Sequence, residues 1–132
     1  MNAYQTEAIV LKRRDIGEAD RLYFFYTKEF GKIKAAAGGV RKINAKLAGH
    51  LEPYNLIWAE LITKKNGDLI ITTALARQSL LRAEAGPGQA ALFAKMADFS
   101  ERMLREPQKD EVMWNFILTG FLKAAGVLPG ET

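Results

Sequence analysis

Apolar and polar positions alternate through the first three-fifths of the chain, and then the period changes. In residues 4–14, Ala8, Val10 and Lys12 alternate with Ile9, Leu11 and Arg13, with β-branched residues at the centre, which predicts a first strand. Asp15 to Asp20 is polar and contains Gly17, so it reads as a turn. Arg21 to Thr27, RLYFFYT, predicts a second strand, and Lys28 to Gly31 a tight connection closed by glycine. Lys32 to Ala37 predicts a third strand, with Ile33 between two lysines. One helical turn is expected at Asn44 to Leu47, ended by Gly49, and Pro53 blocks its continuation. Tyr54 to Thr63 and Leu69 to Ala76 read as a fourth and fifth strand. They are joined through Asn66-Gly67, the strongest short hairpin signal, so the fifth should return antiparallel to the fourth.

Five strands within about 75 residues, with a small helix between the third and fourth, is the order of an OB-fold barrel. After Arg77 the period lengthens to that of a helix. Gln89 to Arg105 places Leu92, Phe93, Met96, Phe99, Met103 and Leu104 along one stripe, and Pro107 follows it. Asp110 fits the N-cap of a last helix whose apolar side carries Met113, Trp114, Ile117, Leu118, Phe121 and Leu122. Gly126 fits its C-terminal stop, with Pro129 beyond. The expected fold class is mainly β plus α, with a five-stranded OB-fold barrel over residues 1–80 and a short helical region over 81–132. No internal repeat or low-complexity segment interrupts it.

Charge sharpens this picture. The 132 residues carry 19 Lys/Arg and 15 Asp/Glu, a net charge of +4. The excess is uneven: residues 1–80 hold 13 Lys/Arg against 8 Asp/Glu, whereas residues 81–132 hold 6 against 7. From Lys32 through Leu51 there is no Asp or Glu, yet Lys32, Lys34, Arg41, Lys42 and Lys46 all occur there. A one-signed patch on a glycine-punctuated connection presents cations to a polyanion, although any surface loop also carries lysines. The first half is the expected binding half, and the second reads as support or a protein-contact surface.

Other chemistries find little support. There is no cysteine, which excludes disulfides, thiolate zinc sites and a cysteine nucleophile. His50 is the only histidine and reads as structural. Asp15, Glu18 and Asp20 lie in the expected turn, where carboxylates usually accept from backbone amides. No phosphate-binding loop, nucleophile elbow or HExxH pattern occurs, and no enzymatic activity, cofactor or metal is expected. No apolar run approaches the roughly 18 residues that span a bilayer, and a soluble cytoplasmic protein is expected. Tyr23 to Tyr26 must send two aromatics inward and two outward, and the outward pair needs either the helices or a nucleobase as cover. Trp58 reads as core, and Trp114 and Phe121 as helix–helix or helix–barrel contacts.

The segments EAIVLKRRDIGEADRLYFFYTKEFGKIKAAAGGVRK and LAGHLEPYNLIWAEL resemble the N-terminal part of the bacterial recombination protein O (RecO) family. The shared features, in order, are a strand ending in basic residues, a G-E-x-D-x-L-like turn, an E-x-G-K turn, a run ending in G-x-R-K, and an L-x-G-x-L-x-P-[FY] segment. The resemblance covers residues 3–80 well and 81–128 loosely. It implies an OB-fold that binds single- and double-stranded DNA, anneals strands, and works with RecR and single-strand-binding protein to load RecA in recombinational repair at the nucleoid. The DNA contacts it implies are Arg13, Arg14, Arg21, Lys32, Lys34, Arg41, Lys42 and Lys46, with Arg41 and Lys42 on the G-x-R-K motif foremost. Arg21 is expected alternatively to pair with Asp20 or Glu18 and fix the turn. Family members are usually nearly twice as long and carry a cysteine-rich zinc segment after the helical region; zinc is not expected here. A protein-interaction adaptor using the barrel as scaffold, with Met96, Met103, Met113, Phe99 or Phe121 exposed, and an RNA-binding OB-fold protein are the alternatives.

Overall fold

The computed structural model describes residues 2–41, 46–81, 85–103 and 108–126. Five strands form a closed barrel: β1 (Ala3–Ile16), β2 (Asp20–Thr27), β3 (Gly31–Ala37), β4 (Asn55–Thr63) and β5 (Leu69–Ser79). They run in the order β1-β2-β3-β5-β4, and β4 returns to pair with β1. All pairings are antiparallel except β3–β5, a parallel contact made at Ala36 and Ile70. The short helix α1 (Lys46–His50) falls between β3 and β4, and α2 (Pro87–Met103) and α3 (Glu111–Ala124) follow the barrel. This is the OB-fold order, with helices appended.

Alternation along each strand separates two apolar clusters. Inward residues Ala8, Val10, Tyr23, Phe25, Ala35, Ile57, Leu61 and Ile71 fill the barrel, and α1 lays Leu47 and Ala48 against them. Outward residues Ile9, Leu11, Tyr26, Leu56 and Leu80 form the second cluster with Phe93, Ala97, Trp114, Ile117 and Phe121 of the helices. The helices therefore cover one part of the barrel's outer wall. Fully burying a large apolar side chain stabilises by about 1.5–3 kcal/mol, so Phe93, Trp114 and Phe121 together anchor the helices firmly.

The four consecutive aromatics divide as alternation requires, with Tyr23 and Phe25 stacked inside the barrel at 5.8 Å between centroids. The outward pair splits: Tyr26 lies against Trp114 at 5.7 Å, while Phe24 stays half-buried outside the helical cover. Asp110 caps α3 by accepting from the Met113 N–H at 3.0 Å, and Gly126, at φ +76°, donates to the Lys123 carbonyl just past its end.

Several expectations are corrected. β1 continues through Asp15 and Ile16, which pair with Arg21 and Asp20, so only residues 17–19 turn. The short helix runs through Gly49 to His50, because its end is fixed from outside: the His50 carbonyl accepts from Asn55 Nδ2 and its Nδ1 from the Ala76 N–H. Asn44 and Ala45, where that turn was expected to begin, lie outside the described residues. Trp58 is half-buried on the outer wall, because its neighbours Ile57 and Ala59 take the inward positions. The apolar stripe of α2 is wider than the surface it covers: Phe93 and Ala97 are buried, while Leu92, Phe99 and Met103 stay exposed. Leu104, also assigned to that stripe, lies outside the described residues.

The alternation in β1 is also broken. A bulge between Val10 and Lys12 leaves Leu11 without an opposite residue, so Val10 faces Phe25 while Lys12 faces Phe24. Ile9 and Leu11 point outward before the bulge; Lys12 and Arg14 do so after it. The expectation that Lys12 shares a face with Ala8 and Val10 is thereby overturned, and Arg13 takes the register opposite inward-facing Tyr23.

Gly31 tests how the helical region is seated. It has φ +69°, and a Cβ there would overlap the backbone of Gln108, which leads into α3. Gly31→Ala should lower stability by about 1–3 kcal/mol from the left-handed conformation alone, and further through the clash. A thermal melt with an unchanged midpoint would refute this packing.

Candidate nucleic-acid interface

On a sheet, residues directly opposite one another share a face. Cross-strand register therefore builds the outer wall row by row. One row runs Lys12–Phe24–Lys34 across β1, β2 and β3. The next runs Arg14–Leu22–Ala36 and reaches Ile70 through the parallel contact. Together with Lys32, Ile16, Glu101 and the β4–β5 hairpin residues Lys64, Gly67 and Asp68, the residues of β2 and β3 line a groove of about 700 Å³. The hairpin is held by its own bonds: Asn66 Oδ1 accepts from the Asp68 N–H, and Lys64 and Asp68 are joined through the backbone. The groove thus has an apolar floor with an aromatic face, lysines along its walls, and a turn at each end.

The eight cations singled out from the sequence do not all lie here. Arg14, Lys32 and Lys34 belong to this face. Arg13 reaches Glu52 at 3.4 Å. Arg21 and Arg41 converge on Asp15, with Arg21 Nε donating to Oδ1 at 2.9 Å and Arg41 Nε 3.5 Å from Oδ2. Arg21 thus fixes the turn as one reading expected, but through Asp15 rather than Asp20 or Glu18. Arg41 also donates to the Gly17 carbonyl at 2.6 Å, and its own N–H to the Ala19 carbonyl at 2.9 Å. Asp20 accepts from the Gly39 N–H at 2.7 Å, a backbone role of the kind expected for the turn carboxylates. These bonds tie the β1–β2 turn to the segment after β3. Lys46 is exposed at the start of α1, and Lys42 lies outside the described residues. Among the described residues, Arg14, Lys34, Lys46 and Lys64 make no ion pair.

Lys64 in the groove lining and Lys12 in the row beside it are the cations that sequence reasoning passed over, whereas Phe24 is an outward aromatic for which a nucleobase is one of the two expected covers. Lys64 follows directly from the Asn-Gly hairpin, whose tip an OB-fold brings beside the β1–β2 turn. Lys12 requires the bulge to be known. Among the described residues, no group of three or more His, Asp or Glu side chains could hold a metal ion, and no helix is long and apolar enough to cross a membrane.

Other OB barrels take nucleic-acid strands or sugars on the corresponding face, between their β1–β2 and β4–β5 turns. The comparisons narrow the class. A family model described as "Recombination protein O N terminal" matches residues 1–79. A DNA repair protein RecO of Roseiflexus is 34% identical over 122 residues, covering 92% of this chain and 42% of its own length. Its namesake in Nocardioides is 29% identical over 125 residues, covering 92% and 50%. The Cutibacterium acnes protein of the same name is 37% identical over 70 residues, covering 53% and 28%. The chain belongs to the RecO family, and it spans half or less of the length of these relatives.

Asp15 provides a test of the turn network. The Arg21 hydrogen bond holds its carboxyl below the usual carboxylate range; desolvation opposes it, and the fields of Arg41, Arg21 and Arg13 add to it. A carboxyl depressed by folding contributes stability above its unfolded pKa, and that contribution is lost as pH falls through the folded value. Asp15→Asn should therefore melt earlier than the parent at pH 7, and the gap should close as pH falls below about 4. A gap that is constant from pH 7 to pH 3 would show that the pair contributes no charge-dependent stability.

Proposed function

We propose that this chain is a DNA-contacting part of a recombinational repair protein, holding single- and double-stranded DNA in the β1–β2–β3 groove. The observation that carries the reading is the Lys12–Phe24–Lys34 row, an aromatic face flanked on both sides by lysine. A phosphodiester chain running along the groove meets Lys34, Lys64 and Arg14, whose ammonium and guanidinium groups displace condensed counterions. A base turned inward stacks on Phe24, which accepts any base because each has a π-face. Backbone charge and stacking carry little sequence information, which suits a protein that works on whatever strand is damaged. The groove supplies binding alone and no catalytic chemistry. The names of the relatives support a repair role, and annealing of strands and assistance to RecA loading are what the family reading adds. Of the eight cations, Arg14, Lys32 and Lys34 lead this proposal, joined by Lys12 and Lys64; Arg21 and Arg41 act on it through the turn they brace.

A second reading rests on the helices. Phe99, Met103 and Phe116 are exposed, and an apolar groove of about 730 Å³ runs between α2 and α3 with Lys95 and Lys123 among its lining residues. Such a surface suits protein contact, and single-strand-binding protein is the partner the family reading places on the helical part.

The test is fluorescence anisotropy of a labelled single-stranded oligonucleotide over a salt series. About six phosphate contacts would give a log–log slope of roughly −4. Lys34→Ala and Lys64→Ala should each flatten it by about 0.7, and Phe24→Ala should weaken binding by about 1–3 kcal/mol with the slope unchanged. Salt-dependent binding that ignores all three variants would move the DNA site elsewhere, and competition with RNA of the same sequence separates the two nucleic acids.

A further inference from the structure

The last turn of α2 reaches the rim of this groove and brings negative charge with it. The Glu101 carbonyl accepts from Lys32 Nζ at 2.5 Å, and the Glu101 carboxylate lies 4.0 Å from Lys12 Nζ. Glu101 itself lines the groove beside Lys32 and Lys34, although its side chain is only 25% exposed. Two cations of the face are thereby engaged from one residue.

Nothing in the helix favours an acid at this position. The C-terminal turn carries the negative end of the helix dipole, where Lys, Arg and His are stabilising and a carboxylate is opposed. The pair with Lys12 is wide and half-exposed, of the sort worth about 0–1 kcal/mol. The Lys32 bond goes to the backbone and would survive removal of the carboxylate. What the carboxylate does is put a negative charge 4.0 Å from Lys12, on the face proposed to meet phosphate.

We infer that Glu101 is a built-in competitor for phosphate that weakens polyanion binding in the groove and limits how many phosphates it takes. This rests on the groove being the DNA site. A strand entering from the β4–β5 hairpin meets Lys64 and Lys34 unopposed, then meets Glu101 beside Lys12. Binding that stays weak at this end lets a strand be released or exchanged, a property that a protein pairing two strands requires.

The test compares oligothymidylate binding by the parent chain, Glu101→Gln, Glu101→Lys and Asp98→Asn by anisotropy over a salt series, with melting midpoints measured alongside. Asp98 is exposed on the same helix and does not line the groove, so its variant reports the effect of net charge alone. Glu101→Gln should tighten binding roughly three- to tenfold at low salt and steepen the salt slope by about 0.7, as Lys12 becomes available. Glu101→Lys suits the helix terminus, so it should fold, and it should bind more tightly still. Asp98→Asn should change affinity by less than twofold. Equal affinity across the Glu101 series, weaker binding, or an equal gain from Asp98→Asn would overturn the inference. If Lys34→Ala and Phe24→Ala weaken binding while the Glu101 series stays flat, the groove stands and the competitor alone falls. If binding ignores Lys34, Phe24 and Glu101 alike, the groove reading falls with it.

Discussion

One extra residue in β1 governs the outer wall of this barrel. Just before the bulge the outward residues Ile9 and Leu11 are apolar; just after it the outward residues Lys12 and Arg14 are basic. Had the strand run without the bulge, Arg13 and Asp15 would face outward and Lys12 and Arg14 would face the barrel lumen, which is filled by Tyr23 and Phe25. The bulge is pinned from the neighbouring chain segment on the other edge of β1, just before β4. Tyr54, with the left-handed φ of 70° that non-glycine residues seldom adopt, donates to the Val10 carbonyl at 2.7 Å and accepts from the Leu80 N–H. Its ring then packs on Phe93 of α2 at 5.6 Å, so the residue that holds the bulge also seats the helices.

The change of phase at Leu11 divides the outer wall between two kinds of cover. Where the wall is apolar, at Ile9, Leu11 and Tyr26, it needs a second layer, and Phe93, Trp114 and Phe121 provide it. Where it turns basic the helices end, and the wall is left as a groove. The boundary passes through the Tyr26–Lys32 pair in the β2–β3 register: Tyr26 lies under Trp114, and Lys32 reaches the last turn of α2. Phe24 and Lys34 form the next pair along, without helical cover. The position of the groove is therefore set by where the helical layer stops, and that follows from the bulge.

Much of this was legible in the residues. Alternation and runs of β-branched or aromatic residues marked the five strands, Asn66-Gly67 marked the hairpin, and Asp110 and Gly126 marked the ends of α3, because each signal is local and acts on its own backbone. The bulge was not legible, because Ala8 to Leu11 is apolar throughout and both phases of the alternation read equally well across it. The exposure of Phe99 and Met103 was hidden for a related reason. An amphipathic stripe says which face of α2 is apolar but not how wide a surface awaits it, and the barrel covers only the Phe93–Ala97 line. His50 reads as structural from the sequence alone, but the particular bond it accepts, from the Ala76 N–H, depends on a partner 26 residues away.

The site shows most clearly why a run of cations in sequence differs from a patch of cations in space. Lys32 through Lys46 is uninterrupted by acid along the chain, yet the fold brings Asp15 from β1 onto Arg41 and Glu101 from α2 to Lys32 and Lys12. Asp15 holds two guanidiniums where they join the β1–β2 turn to the segment after β3, so those charges shape the groove's end instead of lining it. The cations left unpaired among the described residues on the groove face come from three separate elements: Arg14 of β1, Lys34 of β3, and Lys64 of the β4–β5 hairpin. No window of sequence contains all three. A polyanion is long enough to touch them together, and only closure of the barrel, through the single β3–β5 contact at Ala36 and Ile70, puts the hairpin lysine on the same wall as the other two. The weakest seam of the barrel is therefore also the one that assembles its basic face, where the sheet has the fewest hydrogen bonds of its own to resist adjustment.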